Sequence, residues 1–509
     1  MLAPTKVDAA LGAIFLFLLA KLATRKRNRG RLPPGPRGLP LIGNLLDVPS
    51  KNVWFTFVAL GKKYGDISSF TILGQRFINI NSAEVAQDLT ERRGTQYATR
   101  MRFIMGGELC GWDKTLVVSP YGGRWRTYRK YFHQEIGTRL SFDEFTPFVA
   151  YGTLQMVHAI LDNPDNLEYH VRRAAAATSL RISHGYDVAE QGRDPLVELA
   201  DKALSQLSEA TATGAYLVDV MPILRYIPSW VPGAGFQKTA KFYARTLNNV
   251  VDRAHYFTKG QMAAESAPKS FTKRVLESSD GTHEEEELVK WAAASIYLGG
   301  SDTTVSANYA FFLAMTLYPE VQKKAQAELD TVVGTDRLPT LSDRGSLPYL
   351  EAVVSEVLRW NVVGPLTVRT VDKDEFYGDY HFPAGSNVIF NIWSYLHDER
   401  VYHKPMEFIP ERFIGANPET DPRHACFGFG RRICPGQQLA EASVWLTCAL
   451  SLAALKISKA LDENGLEITP KFETVGGSIT HPAPFKCAIT PRTESVRPLV
   501  QKNVELLRP

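Results

Sequence analysis

Apolar residues recur at helical spacing along most of this chain, and the exceptions stand out against that background. From Trp54 onward neither a low-complexity linker nor a repeat interrupts the pattern, so the body is expected to be one helix-rich, mainly α unit (α+β in detail) with small β-sheets. Ile67–Phe70 and Phe77–Ile80 predict a short hairpin around Gly74, and further strand-like pieces flank Gly378 to Val388 and lie near the C-terminus. The clearest helix begins at the acidic run Glu284–Glu287, where carboxylates suit the positive end of a helix, and continues to Pro319. At about three times the mean helix length it must cross the whole domain. Its small central residues, taken alone, describe a core strut.

The first thirty residues break the pattern. Ala9–Ala20 is an unbroken apolar run that Leu22-Ala23 extend past Lys21. It is shorter than the roughly 20 residues of a straight span, but a terminal lysine can snorkel. Arg25, Lys26, Arg27, Arg29 and Arg31 follow directly, and positive charge after an apolar run holds that end in the cytosol. A cleaved signal peptide has the reverse order, with charges before the apolar core. Residues 1–30 are therefore expected to form a retained single-pass membrane anchor with a basic stop. Pro33-Pro34-Gly35-Pro36 makes 31–50 a stiff hinge, and 51–509 the folded domain.

Composition narrows the classes. In 509 residues, 44% hydrophobic and 22% charged are globular proportions, which exclude wholesale disorder. A net charge of +4 is too mild for a nucleic-acid partner, and none is expected. Five cysteines (Cys110, Cys426, Cys434, Cys448 and Cys487) are odd in number and sparse, so at least one thiol is free. No Asn-x-Ser/Thr sequon occurs, in keeping with a chain that is not lumenal. Gly233-Ala234-Gly235 is followed by Lys238 where a dinucleotide loop has its third glycine, and no Gly-x-Ser-x-Gly elbow is present.

Candidate chemistry gathers in four places. Phe427-Gly428-Phe429-Gly430-Arg431-Arg432-Ile433-Cys434-Pro435-Gly436 precedes an Ala/Leu-rich helix from Gln437. A cysteine there has its thiolate favoured by amide N–H groups and the helix dipole. Gly430 and Gly436 allow close approach of backbone and a flat ligand, and Arg432 offers a fork for a carboxylate. Gly299-Gly300-Ser301-Asp302-Thr303-Thr304 lies mid-helix, with the turn beneath Thr303 bare. Glu356 and Arg359 share a helix face at i,i+3, and so do Trp125 and Arg129 at i,i+4.

The cysteine segment resembles the heme-binding signature of cytochrome P450s, Phe-x-x-Gly-x-Arg-x-Cys-x-Gly, at every defining position. Pro410-Glu411-Arg412-Phe413 resembles the family's Pro-Glu-Arg-Phe segment, and the glycine-rich mid-helix its acid–alcohol segment. The order of these segments is that of a microsomal P450, and details such as Leu-Pro-Tyr-Leu-Glu-Ala before Glu356 look fungal, of the secondary-metabolism type. The resemblance implies the P450 fold, with 51–509 as a heme-thiolate monooxygenase domain. It implies heme b (iron protoporphyrin IX) with Cys434 as axial thiolate, and Phe427, Gly430, Arg432 and Gly436 around it. Trp125, Arg129 and Arg369 would hold the propionates. Asp302 and Thr303 would be the pair relaying protons to dioxygen at the heme, and Glu356, Arg359 and Arg412 a buried scaffold triad. His424 and Cys426 are expected to be structural.

By the same likeness the reaction is RH + O₂ + 2e⁻ + 2H⁺ → ROH + H₂O on a lipophilic small molecule such as a terpenoid. Electrons would come from NADPH–cytochrome P450 reductase in the endoplasmic reticulum membrane. Arg126, Lys130, Lys323, Lys324 and Arg431 are candidates for its docking patch, with the catalytic domain cytosolic. Substrate contacts would include Phe103, Ile104, Ala293, Tyr297, Val363, Leu366, Ser478 and Ile479. Two alternatives stay open: a heme-thiolate isomerase or dehydratase that needs no reductase, and a membrane-tethered heme sensor or binder.

Overall fold

The computed structural model describes residues 30–49, 51–189, 192–212 and 214–508, apart from the side chains of 139–141. The expected anchor falls on residues outside this set. Among the described residues no helix is long and apolar enough to cross a membrane.

The long helix is His283–Leu317, 35 residues. It starts where sequence chemistry says it should. The Thr282 hydroxyl accepts the Glu285 N–H at 3.3 Å, and Glu284, Glu285 and Glu286 occupy the first turn. It ends at Tyr318, whose successor Pro319 opens the next helix and disfavours a helical predecessor. Val289, Trp291–Ala294, Ile296–Leu298 and Val305–Thr316 are buried, which fits a helix apolar on most sides. Helix Leu167–His184 packs along it, and helix Gln437–Ala454 crosses it.

A four-stranded sheet lies to one side, in the order Ile67–Ile72, Gln75–Ile80, Asn387–Asn391, Leu366–Thr370. The predicted hairpin is its edge, turning at Leu73 and Gly74, both with positive φ. The second and third strands are parallel, with Phe77 opposite Asn387 and Ile80 opposite Phe390, and Asn387–Asn391 is buried throughout. Arg369 pairs with Val388, so the sheet carries that guanidinium inward.

Part of the proline hinge is no free spacer. Ser69 donates its N–H to the Pro34 carbonyl and its hydroxyl to that of Pro33, and a Cβ on Gly35 would lie 1.7 Å from the Ser69 carbonyl oxygen. The segment is therefore docked on the edge strand, and only glycine fits at 35. Near the C-terminus, Thr474–Gly476 and Thr480–Pro482 form a small hairpin whose Thr480 carbonyl accepts the Ser306 hydroxyl of the long helix.

Candidate functional site

Cys434 sits in a loop that hydrogen-bonds to itself. Its N–H donates to the Phe427 carbonyl at 2.9 Å and Ile433 N–H to that of Gly430 at 3.1 Å. Gly430 has φ +54°, and a Cβ there would lie 2.1 Å from the Thr90 carbonyl oxygen. Its small size thus answers to a backbone neighbour, not to a flat ligand. A Cβ on Gly436, in contrast, meets nothing within 4 Å. Burial pushes the Cys434 thiol above its ordinary value, against the opposing pull of the Gly436 N–H and the Arg129 charge. The Gly436 N–H is the amide support expected of a cysteine at this position. Phe427 is half-buried against the main core, while Phe429 turns the other way, edge-on to Tyr395. His424 is exposed, and Cys426 packs beside the loop with its thiol pushed far up by burial.

Beside the cysteine, four guanidinium groups converge. Arg129, on helix Gly123–Ile136, donates to the Ile433 carbonyl at 2.8 Å. Arg432 donates to the Ala98 carbonyl at 2.7 Å and the Ser119 carbonyl at 2.9 Å, and lies over the Trp125 ring with Arg129 on that ring too. Its fork is thus largely engaged by carbonyls. Arg369 and Arg100 both donate to the Thr367 hydroxyl, and a β-bridge pairs the two residues. Among the described residues no carboxylate pairs with any of the four. Burial and their mutual repulsion push Arg369 well down and Arg432 down to about 9, while burial alone takes Arg100 to about 10. Unpaired buried charges are costly, so this cluster calls for a bound anion. Arg100 was not expected. It lies on an irregular stretch with no motif spacing, and only the bridge to Arg369 brings it in.

On the long helix, a Cβ at Gly299 meets nothing within 4 Å, whereas one at Gly300 would lie 2.5 Å from the Ser179 hydroxyl. Gly299 alone leaves open space; Gly300 is there for helix packing. Thr303 donates its hydroxyl to the Gly299 carbonyl at 2.6 Å, which leaves its oxygen able to accept. Asp302 turns away toward helix Leu167–His184, taking Arg172 at 3.3 Å and His481 at 3.1 Å. Burial alone would raise its carboxyl, but the His481 and Arg172 contacts outweigh it and hold the group below the usual range. Tyr297, expected at the substrate, is fully buried and donates to the Leu196 carbonyl at 3.0 Å, so it is a packing residue. Leu116 joins the two halves of the site: its carbonyl faces Arg432 at 3.4 Å and its N–H donates to Ser295 of the long helix at 3.0 Å.

The expected triad is present and buried. Glu356 holds Arg359 at 2.7 and 2.9 Å and Arg412 at 3.2 Å. Arg359 also donates to the carbonyls of Leu396, Pro405 and Glu407, and Arg412 to Glu419. Two cations therefore meet two carboxylates while tying down the chain from 396 to 419, which leads to the cysteine loop.

These features fit the heme that the resemblance implies: its propionates would meet the four guanidiniums and its iron the Cys434 sulfur, with room left at Gly436 and Gly299. Comparison with known proteins agrees. A family model described as Cytochrome P450 matches residues 33–488. The chain is similar to the cytochrome P450 monooxygenase claR of Ampulloclitocybe clavipes, 45% identical over 98% of this chain and 93% of that protein. Cytochrome P450 monooxygenase 208 of Postia placenta is 46% identical over 96% of both chains. The O-methylsterigmatocystin oxidoreductase of Aspergillus flavus is 37% identical over 96% of this chain and 92% of its own.

Proposed function

The chain belongs to the cytochrome P450 family as a heme-thiolate monooxygenase, and from that premise we propose a microsomal enzyme that hydroxylates a lipophilic secondary metabolite. Heme supplies dioxygen activation when bound to a thiolate. The chain's residues do the rest. Cys434 would ligate its iron, in a loop held by the Glu356–Arg359–Arg412 triad. Arg100, Arg129, Arg369 and Arg432, with Trp125, receive the propionates, and Phe427, Gly430 and Gly436 complete the loop. The observation that carries this reading is the guanidinium cluster without a carboxylate partner among the described residues, beside Cys434 in its hydrogen-bonded loop.

The family likeness assigns Asp302 and Thr303 to proton delivery; in support, the Thr303 hydroxyl donates to the Gly299 carbonyl and its oxygen can accept a further bond, while Asp302 is held by Arg172 and His481 on the side of helix Leu167–His184. Electrons come from NADPH–cytochrome P450 reductase. Arg126, Lys130, Lys323 and Arg431 are exposed and form its docking charges, while Lys324 is already paired with Glu411. Residues 1–30 anchor the chain in the endoplasmic reticulum membrane, 31–50 form the hinge and 51–509 the cytosolic catalytic domain. An apolar surface supports membrane contact: Leu41, Leu46, Ile223, Tyr226 and Trp230 are all more than 65% exposed. The hairpin turn joins their two stretches, since Ile72 bridges to Gly43 and Gln75 donates to the Asp219 carbonyl.

Turnover with added reductase tests this. Full-length protein with NADPH and a panel of terpenoids and aromatics is expected to yield hydroxylated product. Thr303→Ala is expected to keep its heme but divert reducing equivalents to hydrogen peroxide. A product formed by rearrangement or dehydration without NADPH, or tight coupling in Thr303→Ala, would count against it.

A further inference from the structure

One arginine at the base of the cysteine loop is arranged in the opposite way to those that call for an anion. Arg423 opens the short helix Arg423–Cys426, which leads into the loop. Its guanidinium meets three carboxylates: Glu351 at 2.6 Å, Glu441 at 3.1 Å and Asp421 at 3.2 Å. It also donates to the Ser355 hydroxyl at 2.9 Å, whose own proton goes to the Glu351 carbonyl at 3.0 Å. Arg344 closes the cluster, with two nitrogens on Glu351 at 2.8 Å and one of them 3.5 Å from Glu441. Burial alone would lower the Arg423 guanidinium, but the carboxylates outweigh it and hold it above its ordinary value. Arg100, Arg369 and Arg432 shift the other way. Arg423 therefore calls for no ligand; the chain itself supplies its anions.

What the cluster joins follows from where its members sit. Glu441 lies near the start of helix Gln437–Ala454, the element that leaves the cysteine loop. Through one oxygen it takes Arg423, and through the other it accepts the side-chain amide of Gln437 at 2.9 Å. The entry and the exit of the loop are thereby held to one carboxylate. Glu351 and Ser355 belong to helix Pro348–Trp360, which also carries Glu356 and Arg359. The same guanidinium thus fixes the base of the loop to the helix of the triad. The triad's own bonds reach residues 396 to 419; the Arg423 cluster takes over at Asp421 and runs to Glu441.

We propose that Arg423 is a positioning residue for the Cys434 sulfur: with Glu351 and Glu441 it pins the two ends of the cysteine loop to each other and to helix Pro348–Trp360, and so keeps the sulfur where it can hold iron. That the sulfur meets iron rests on the family reading; the clasp on the loop does not.

Two measurements on full-length holoenzyme test it. One is the lifetime of the thiolate-type carbon monoxide band of the reduced protein in dilute urea that leaves helix content unchanged; the other is hydrogen exchange along residues 421–441. Arg423→Gln is expected to shorten the lifetime, and to speed exchange at both 423–426 and 437–441, by about tenfold, as loss of one or two charge-assisted bonds implies. Arg423→Lys should recover part of both, since it keeps the charge without the fork. Glu441→Gln acts on the same contact, so the effect of combining it with Arg423→Gln should fall short of the product of the two single effects. If Arg423→Gln does not fold, Gln437→Ala decides: it cuts only the exit tie, and should speed exchange at 437–441 and shorten the band's lifetime a few-fold. Exchange that rises at one end of the loop only in Arg423→Gln, single effects that multiply in full, or a band lifetime unchanged in either variant would overturn the proposal. A wild-type spectrum without a thiolate band would refute the family reading and leave the exchange result to decide the clasp.

Discussion

Arg369 is a buried cation whose two local hydrogen bonds go to uncharged acceptors. It is buried with Arg100 and Arg432 as charged neighbours and with the Thr367 hydroxyl and Val368 carbonyl as acceptors. Arg369→Gln should therefore have opposite effects in the two forms of the protein. The heme-free form should gain stability, since a buried charge without a partner is removed, while the holoprotein should lose heme faster. Denaturant melts of both forms and heme transfer to an apoglobin measure these; a fall in heme-free stability would contradict the unpaired-charge argument. Asp302 makes the reverse case. Its carboxyl is held below the ordinary value, so the ionised form contributes stability that is present above the unfolded-state value and disappears as pH falls through the depressed one. Asp302→Asn should thus be less stable than wild type at neutral pH, with the gap closing on acidification through the carboxylate range. A gap that is constant with pH would show that Arg172 and His481 do not stabilise the anion. Of these residues, Asp302, Arg129 and Cys434 were legible in the sequence because each lies in a short motif with fixed spacing. Arg172, 130 residues from Asp302, and Arg100 were not, because tertiary packing alone brings them to their partners.

The long helix shows how two adjacent glycines can do different work. Both lower helix propensity by up to about 1 kcal/mol relative to alanine. Gly300 faces the Ser179 hydroxyl at a distance no Cβ tolerates, and Gly299 faces open space. Gly300→Ala should therefore destabilise the fold, with rescue by Ser179→Ala, whereas Gly299→Ala should stabilise the heme-free fold slightly and weaken substrate binding. Thermal melts and substrate-induced spectral shifts separate the two, and identical behaviour would refute the assignment. Helix boundaries at this scale followed from local signals: Thr282 and the acidic run at one end and Pro319 at the other. The docking of Pro33–Gly35 on the edge strand had no such signal, since a proline-rich stretch reads the same whether it is free or packed.

At the scale of the whole molecule, one organisation accounts for the separate observations. The triad fixes the loop that presents Cys434, the sheet and the Gly123–Ile136 helix bring cations beside it, and Leu116 ties that side of the site to the long helix. The candidate-site residues that were legible all belong to segments with their own sequence signature. The contacts of Asp219 with Ile104 and Met105, and of Glu108 with Arg225, were not, because they join two irregular stretches that meet only in the fold. The claim on which the whole depends is the sulfur–iron bond, and the reduced carbon monoxide spectrum reads it directly. Purified wild-type protein should give the red-shifted Soret band of a thiolate ligand, and Cys434→Ala should abolish that band. A histidine-type band in freshly prepared, folded wild type, or an unaltered spectrum in Cys434→Ala, would contradict the account.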